Sequence, residues 1–144
     1  MDRLATAIEK MHSPCIVGLD PRPEVIPRQV LEDVSSAESL AAAYADFSRA
    51  IIDAVSDIVP AVKPQIAMYE ALGPAGISAY CRTTRYAQER GLYVIGDIKR
   101  GDIGSTAQAY AAHLSGIPGI SGRGADVWHE DAVTVNPYLG IDGI

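Results

Sequence analysis

Apolar positions recur along the chain with two periods, one near 3.6 residues and one of about 2. In residues 2–11, Leu4, Ala7, Ile8 and Met11 share one face, which predicts a short helix ended by Pro14. Residues 15–20 form an apolar run closing on Asp20 and read as a buried strand. Pro21, Pro23 and Pro27 exclude a regular helix in the loop that follows. Ser35-Ser36-Ala37-Glu38 has the form of a capping box, with Ser35 as N-cap and Glu38 at the third helical position. The helix it opens carries Leu40, Tyr44, Phe47, Ile51, Val55 and Ile58, at spacings of 4, 3, 4, 4 and 3. These make one apolar stripe, and Pro60 stops it. Residues 61–67 are expected as a second strand, and 75–90 as a second long helix closed by Gly91. Residues 93–99 read as a third strand and 101–104 as a turn. A further helix over 105–114 has Ala107, Tyr110, Ala111 and Leu114 as its packing stripe. Residues 115–130 are a Gly-rich loop in which Trp128 is a packing anchor. Residues 132–136 read as a fourth strand and 137–140 as a turn.

Strands and helices therefore alternate, which means parallel strands joined by right-handed crossovers. The linear pattern alone does not separate an open doubly wound sheet from a barrel. Four strand–helix units use about this length of chain, whereas an eight-unit barrel takes roughly 250 residues. The strand period also sorts side chains by face. Ile95, Asp97 and Lys99 point one way; Val94, Gly96 and Ile98 point the other and suit packing under helices. Lys63 and Gln65 share a face, and Asp20 and Asn136 stand at the C-terminal ends of their strands. Sites of α/β folds lie at those ends. Charges facing a sheet interior cost several kcal/mol unless paired, so these charges are expected to form one site.

Composition narrows the function classes. The chain has 144 residues, is 48% hydrophobic and 21% charged, and carries a formal net charge of −6. This is globular composition, read as a single domain over residues 1–144. The acidic balance argues against a nucleic-acid surface, which needs a basic face. No stretch of about 18 uncharged apolar residues predicts a membrane span. The start of the chain lacks the pattern of a secretory signal. Cys15 and Cys81 have no metal-ligand spacing and read as free thiols of a cytoplasmic protein. His12, His113 and His129 also lack metal spacing and read as surface or satisfied core histidines. Residues 101–106 have neither the spacing nor the Lys of a P-loop.

The central motif is Asp97-Ile98-Lys99-Arg100-Gly101-Asp102. Three further segments accompany it: Val17-Gly18-Leu19-Asp20-Pro21-Arg22, Val62-Lys63-Pro64-Gln65 and Val133-Thr134-Val135-Asn136-Pro137-Tyr138-Leu139-Gly140. Together with Ile103-Gly104-Ser105-Thr106, these segments in this order closely resemble the orotidine 5′-phosphate decarboxylase family, and the Asn-Pro-Tyr-Leu-Gly turn resembles its bacterial subgroup with longer chains. The resemblance implies a (β/α)8 barrel of which this chain holds about four N-terminal units. It implies a homodimer acting on a nucleotide without metal or organic cofactor. It also implies roles. Lys63, Asp97, Lys99 and Asp102 would form an alternating charge network with Lys99 as general acid. Asp20 and Lys63 would hold ribose hydroxyls. Asp102, Ile103 and Thr106 would reach the site of the partner subunit. The phosphate-gripping Arg and the groups that read the pyrimidine amide would come from later strands, so residues 1–144 alone are expected to be inactive.

The residue types suit that chemistry. Loss of CO2 from C6 of the pyrimidine leaves a carbanion in the ring plane, which no ring π system delocalises. An ammonium fixed beside C6 stabilises that charge and then donates the proton. Lys suits this task better than Arg, whose guanidinium does not give up a proton. Burial would push Lys99 towards neutrality, and carboxylates from Asp97 and Asp102 would oppose that. Three other readings stay open. A metal-dependent sugar-phosphate lyase or aldolase on a related barrel could use the same Asp-x-Lys-x-x-Asp pattern around Mg²⁺. A Schiff-base aldolase could use Lys63 or Lys99. A non-catalytic half-barrel could retain the charges without turnover.

Overall fold

A computed structural model describes residues 2–117 and 124–141. The elements are α1 (Asp2–Met11), β1 (Ile16–Leu19), α2 (Arg28–Leu31), α3 (Ala37–Val55), β2 (Ala61–Pro64), α4 (Ile66–Glu70), α5 (Gly73–Glu89), β3 (Tyr93–Arg100), α6 (Gly104–Tyr110), α7 (Ala112–Ser115), β4 (Ala132–Val135) and a 3₁₀ turn (Pro137–Leu139). The four strands form one parallel sheet in the order β1-β2-β3-β4. Spatial order follows chain order without reversal. A doubly wound sheet reverses direction at its switch point, so this order matches a barrel wall instead.

Helices pack on one face of the sheet. Leu19, Val62 and Val94 meet Ile52 of α3 and Ala87 of α5 in one apolar cluster. Ile98 joins Tyr44, Tyr69, Ala79 and Tyr80 in a second. The expected division of β3 holds here, since Val94 and Ile98 are 0% and 3% exposed under the helices. Trp128 is the expected anchor, edge-on to Tyr80 at 6.2 Å and stacked on His113 at 4.1 Å. The expected Gly-rich loop over 115–130 falls partly outside the described residues.

Several expectations need correction. The second strand stops at Pro64, because the Gln65 side chain accepts from the Ala67 N–H and opens α4 over residues expected as strand. The capping box lies one residue later than expected: Ser36, not Ser35, is the N-cap. Ser39 replaces Glu38 at the third position, and its hydroxyl takes the Ser36 N–H at 3.0 Å. The buried face of α3 is Ala41, Tyr44, Ala45, Ser48 and Ile52, rotated from the expected stripe towards small residues that let α5 approach. Ile58 lies beyond the helix and is 58% exposed. The prolines exclude a helix only as far as Pro27, after which α2 makes one turn. The helix expected over 105–114 is broken at Ala111 into α6 and α7. No residue of α6 is buried, whereas α7 turns His113 inward onto Glu130. Tyr110 and Leu114 stay partly exposed and line a hollow of about 220 Å³ with Ile98 and Val133.

Candidate active site

The polar cluster forms where β2, β3 and β4 end. Lys63 sits on β2, and Gln65 just beyond it bridges to Asp97 on β3. The Asp97 carboxylate collects four side chains. Lys63 Nζ and Gln65 Nε2 each donate to Oδ2 at 2.8 Å. Lys99 Nζ and the Thr134 hydroxyl donate to Oδ1 at 2.5 and 2.9 Å. The Asp97 side chain is 8% exposed. Burial pushes its carboxyl up, but hydrogen bonds from Lys63, Lys99 and Thr134 and the Lys63 charge outweigh this and hold it at about 2.

Local backbone geometry aims these groups. Pairing between β3 and β4 runs Ile95 with Ala132 and Gly96 with Val133, then jumps to Arg100 with Val135. The irregularity bulges β3 at residues 97–99, a common device for re-aiming side chains beside a site. Lys99 carries the strain, with φ of 50° in the left-handed region. Its N–H donates to Thr134 Oγ1 at 3.0 Å.

The other expected site residues are placed as follows. Asp20 lies one residue past β1, with a carboxylate oxygen 3.6 Å from where a Cβ on Gly18 would stand. Gly18 pairs in register with Lys63, so Asp20 is on the face of the cluster. It makes no ion pair among the described residues. Asp102 accepts the Ile103 N–H at 2.8 Å and does not pair with Lys99. Ile103 is 58% exposed, and Thr106 is also exposed. Within this chain, therefore, Lys63, Asp97 and Lys99 come together while Asp102, Ile103 and Thr106 stay apart. The expected burial of Lys99 is not found either: its side chain is 62% exposed, and Asp97 is the carboxylate that holds it.

Two participants were missed in the sequence. Alternation puts Gln65 on the Lys63 face without assigning it a role, and the motif pattern does not single out Thr134. Alternation back from Asn136 on β4 would have put Thr134 on the polar face. Among the described residues, no group of three or more His, Cys, Asp or Glu is arranged to hold a metal ion.

Comparisons with known proteins bear on the whole arrangement. The family model of the orotidine 5′-phosphate decarboxylase / HUMPS family matches residues 13–144. The orotidine 5′-phosphate decarboxylase of Rhodopirellula baltica is 47% identical over 145 aligned positions, covering 99% of this chain and 47% of that protein. That of Clostridium acetobutylicum is 41% identical, covering 100% and 46%. The chain thus spans about half the length of the curated relatives it matches. The structure of Leishmania donovani OMP decarboxylase superposes with a TM-score of 0.73 at 29% identity, over 99% of this chain and 46% of that one. Plasmodium berghei orotidine 5′-monophosphate decarboxylase gives 0.79 at 17% identity over 99% and 54%, a likeness of fold. The parallel four-stranded sheet is consistent with an N-terminal half of such (β/α)8 barrels. Motif, fold and comparison agree, and the chain belongs to the orotidine 5′-phosphate decarboxylase / HUMPS family.

Proposed function

We propose that this chain supplies the proton-transfer half of an orotidine 5′-phosphate decarboxylase, which forms UMP in pyrimidine synthesis. The observation that carries the reading is the Asp97 carboxylate held between the ammonium groups of Lys63 and Lys99 at the C-terminal ends of the strands. In the proposed reaction the C6–carboxyl bond breaks and CO2 leaves neutral. The electron pair stays on C6, in the plane of the ring. The Lys99 ammonium stabilises that pair and transfers a proton to C6, then regains one from water. Its half-open position suits a group that must meet a ligand. Asp97 fixes Nζ of Lys99, and its charge would crowd the substrate carboxylate until CO2 departs.

Lys63 and Asp20, on one face of the sheet, are assigned to the ribose hydroxyls. Asp102, Ile103 and Thr106 are assigned to the site of a partner subunit in a homodimer. The exposure of Ile103 and Thr106, and the absence of an Asp102–Lys99 pair, support this. No metal or organic cofactor takes part in this reading. Free Cys15 and Cys81 suit a reducing cytoplasm, and no helix among the described residues is long and apolar enough to cross a membrane.

The test is product analysis of the complete gene product carrying these residues. Equimolar UMP and CO2 from orotidine 5′-phosphate, unaffected by EDTA, is the expected result. Residues 1–144 alone are expected to give none. Absence of UMP overturns the reading, and loss of activity on chelation favours a metal-dependent lyase instead.

A further inference from the structure

We propose that Thr134 is a positioning residue that locks the strained backbone of Lys99 and ties it to the Asp97 carboxylate. The proposal deepens the decarboxylase reading and rests on it for the kinetic part of its test. Among the described residues, three non-glycine residues have positive φ: His12, Lys99 and His129. His12 follows the end of α1, and His129 lies in the segment before β4, its N–H held by Asp126 at 2.8 Å. Lys99 alone of these is inside a strand. Such a conformation is strained and persists only where its surroundings impose it.

The β-ladder does not impose it, because the pairing of β3 with β4 skips from Gly96 to Arg100. The Lys99 N–H goes instead to Thr134 Oγ1 at 3.0 Å. A hydroxyl has one proton to give, and Thr134 directs it at Asp97 Oδ1, 2.9 Å away. That same oxygen receives Lys99 Nζ at 2.5 Å. The result is a closed ring: backbone of Lys99 to hydroxyl, hydroxyl to carboxylate, carboxylate to the ammonium of Lys99. Thr134 is β-branched and on a strand, so few rotamers compete with this one. It acts through Lys99 and Asp97, setting both where the ammonium stands and what it leans on.

Two near-isosteric variants of the complete gene product separate this role from simple packing. Thr134→Val keeps the shape and loses the hydroxyl; Thr134→Ser keeps the hydroxyl. Misplacing a catalytic group by about 1 Å can cost roughly 100-fold. Thr134→Val is therefore expected to lower kcat about 30- to 100-fold with KM changed less than about threefold. Thr134→Ser is expected to recover most of that loss. A second readout needs no turnover: the carboxyl NMR titration midpoint of Asp97 should rise in Thr134→Val and return in Thr134→Ser. Equal damage in both variants, or unchanged kcat and titration in Thr134→Val, overturns the proposal. Thr134→Ala serves both readouts where the Val variant does not fold. If the parent forms no UMP, the decarboxylase reading fails and the carboxyl titration decides the role of Thr134 by itself.

Discussion

Asp97 and Glu130 are both buried acids, yet they sit on opposite faces of the sheet and are satisfied in opposite ways. Asp97 faces the open side and is held by two ammonium groups, an amide and a hydroxyl. Glu130 lies under the helices. Its carboxylate accepts the Tyr80 hydroxyl and meets His113 Nδ1 at 2.7 Å. Burial, then the Glu130 charge, push the Tyr80 hydroxyl well above its usual range, which keeps it a donor. Trp128 stacks on His113 and closes the group. The Glu130 carboxylate occupies the space where a side chain at position 96 would stand, so Gly96 is required there. The contrast separates two uses of a buried acid. Asp97 has partly exposed partners that can also meet a ligand: Lys63 is 35% exposed and Lys99 62%. Glu130 has rigid aromatic partners from α5 and α7 and serves to join those helices to the sheet.

The largest effects come from removing each carboxylate in turn from the complete gene product. Asp97→Ala is expected to lower turnover at least about 1000-fold, with a smaller stability loss of about 1–2 kcal/mol. Glu130→Ala leaves Tyr80 and His113 without their acceptor and opens a void, a loss of about 2–4 kcal/mol in urea unfolding. Its turnover, measured where the variant is folded, is expected to stay within about tenfold of the parent. The reverse pattern, a stable and inactive Glu130→Ala beside an unstable and active Asp97→Ala, breaks the comparison.

A smaller effect is expected in acid. The folded-state value of Asp97, about 2, lies below its unfolded value, so ionisation stabilises the fold above pH 4 or so. That contribution fades as pH falls from about 4 to about 2. It amounts to about 1–2 kcal/mol once solvent screening at the exposed Lys99 is allowed for. The stability gap between the parent and Asp97→Asn should therefore shrink over that interval. A gap that is constant with pH contradicts the assigned charge pairing.

The same comparison shows what a linear chain can disclose. Strand alternation puts Lys63, Gln65, Asp97 and Lys99 on polar faces because each polar side chain interrupts an apolar run. It could not show the bulge at residues 97–99, because nothing local distinguishes Lys99 with positive φ from an ordinary strand residue. Glu130 was hidden for a different reason. It comes from a polar loop, and its partners Tyr80 and His113 lie 50 and 17 residues away in the chain. Only the fold creates that cluster. Gly96 was read as part of a packing face, whereas the space above it holds a carboxylate. The helix end marked by Gly91, with φ of 82°, was legible to within a residue, whereas α3 ends at Val55, short of the Ile58 expected before Pro60. The break at Ala111 carried no such mark.

The central claim is that Lys99 delivers the proton that makes UMP. It is tested most directly by UMP formation from orotidine 5′-phosphate in the complete gene product and in its Lys99→Ala variant, each confirmed folded by circular dichroism. The expected result is turnover by the parent and none measurable in the variant, a loss of well over about 1000-fold. UMP formation by Lys99→Ala at a rate near that of the parent would contradict the account.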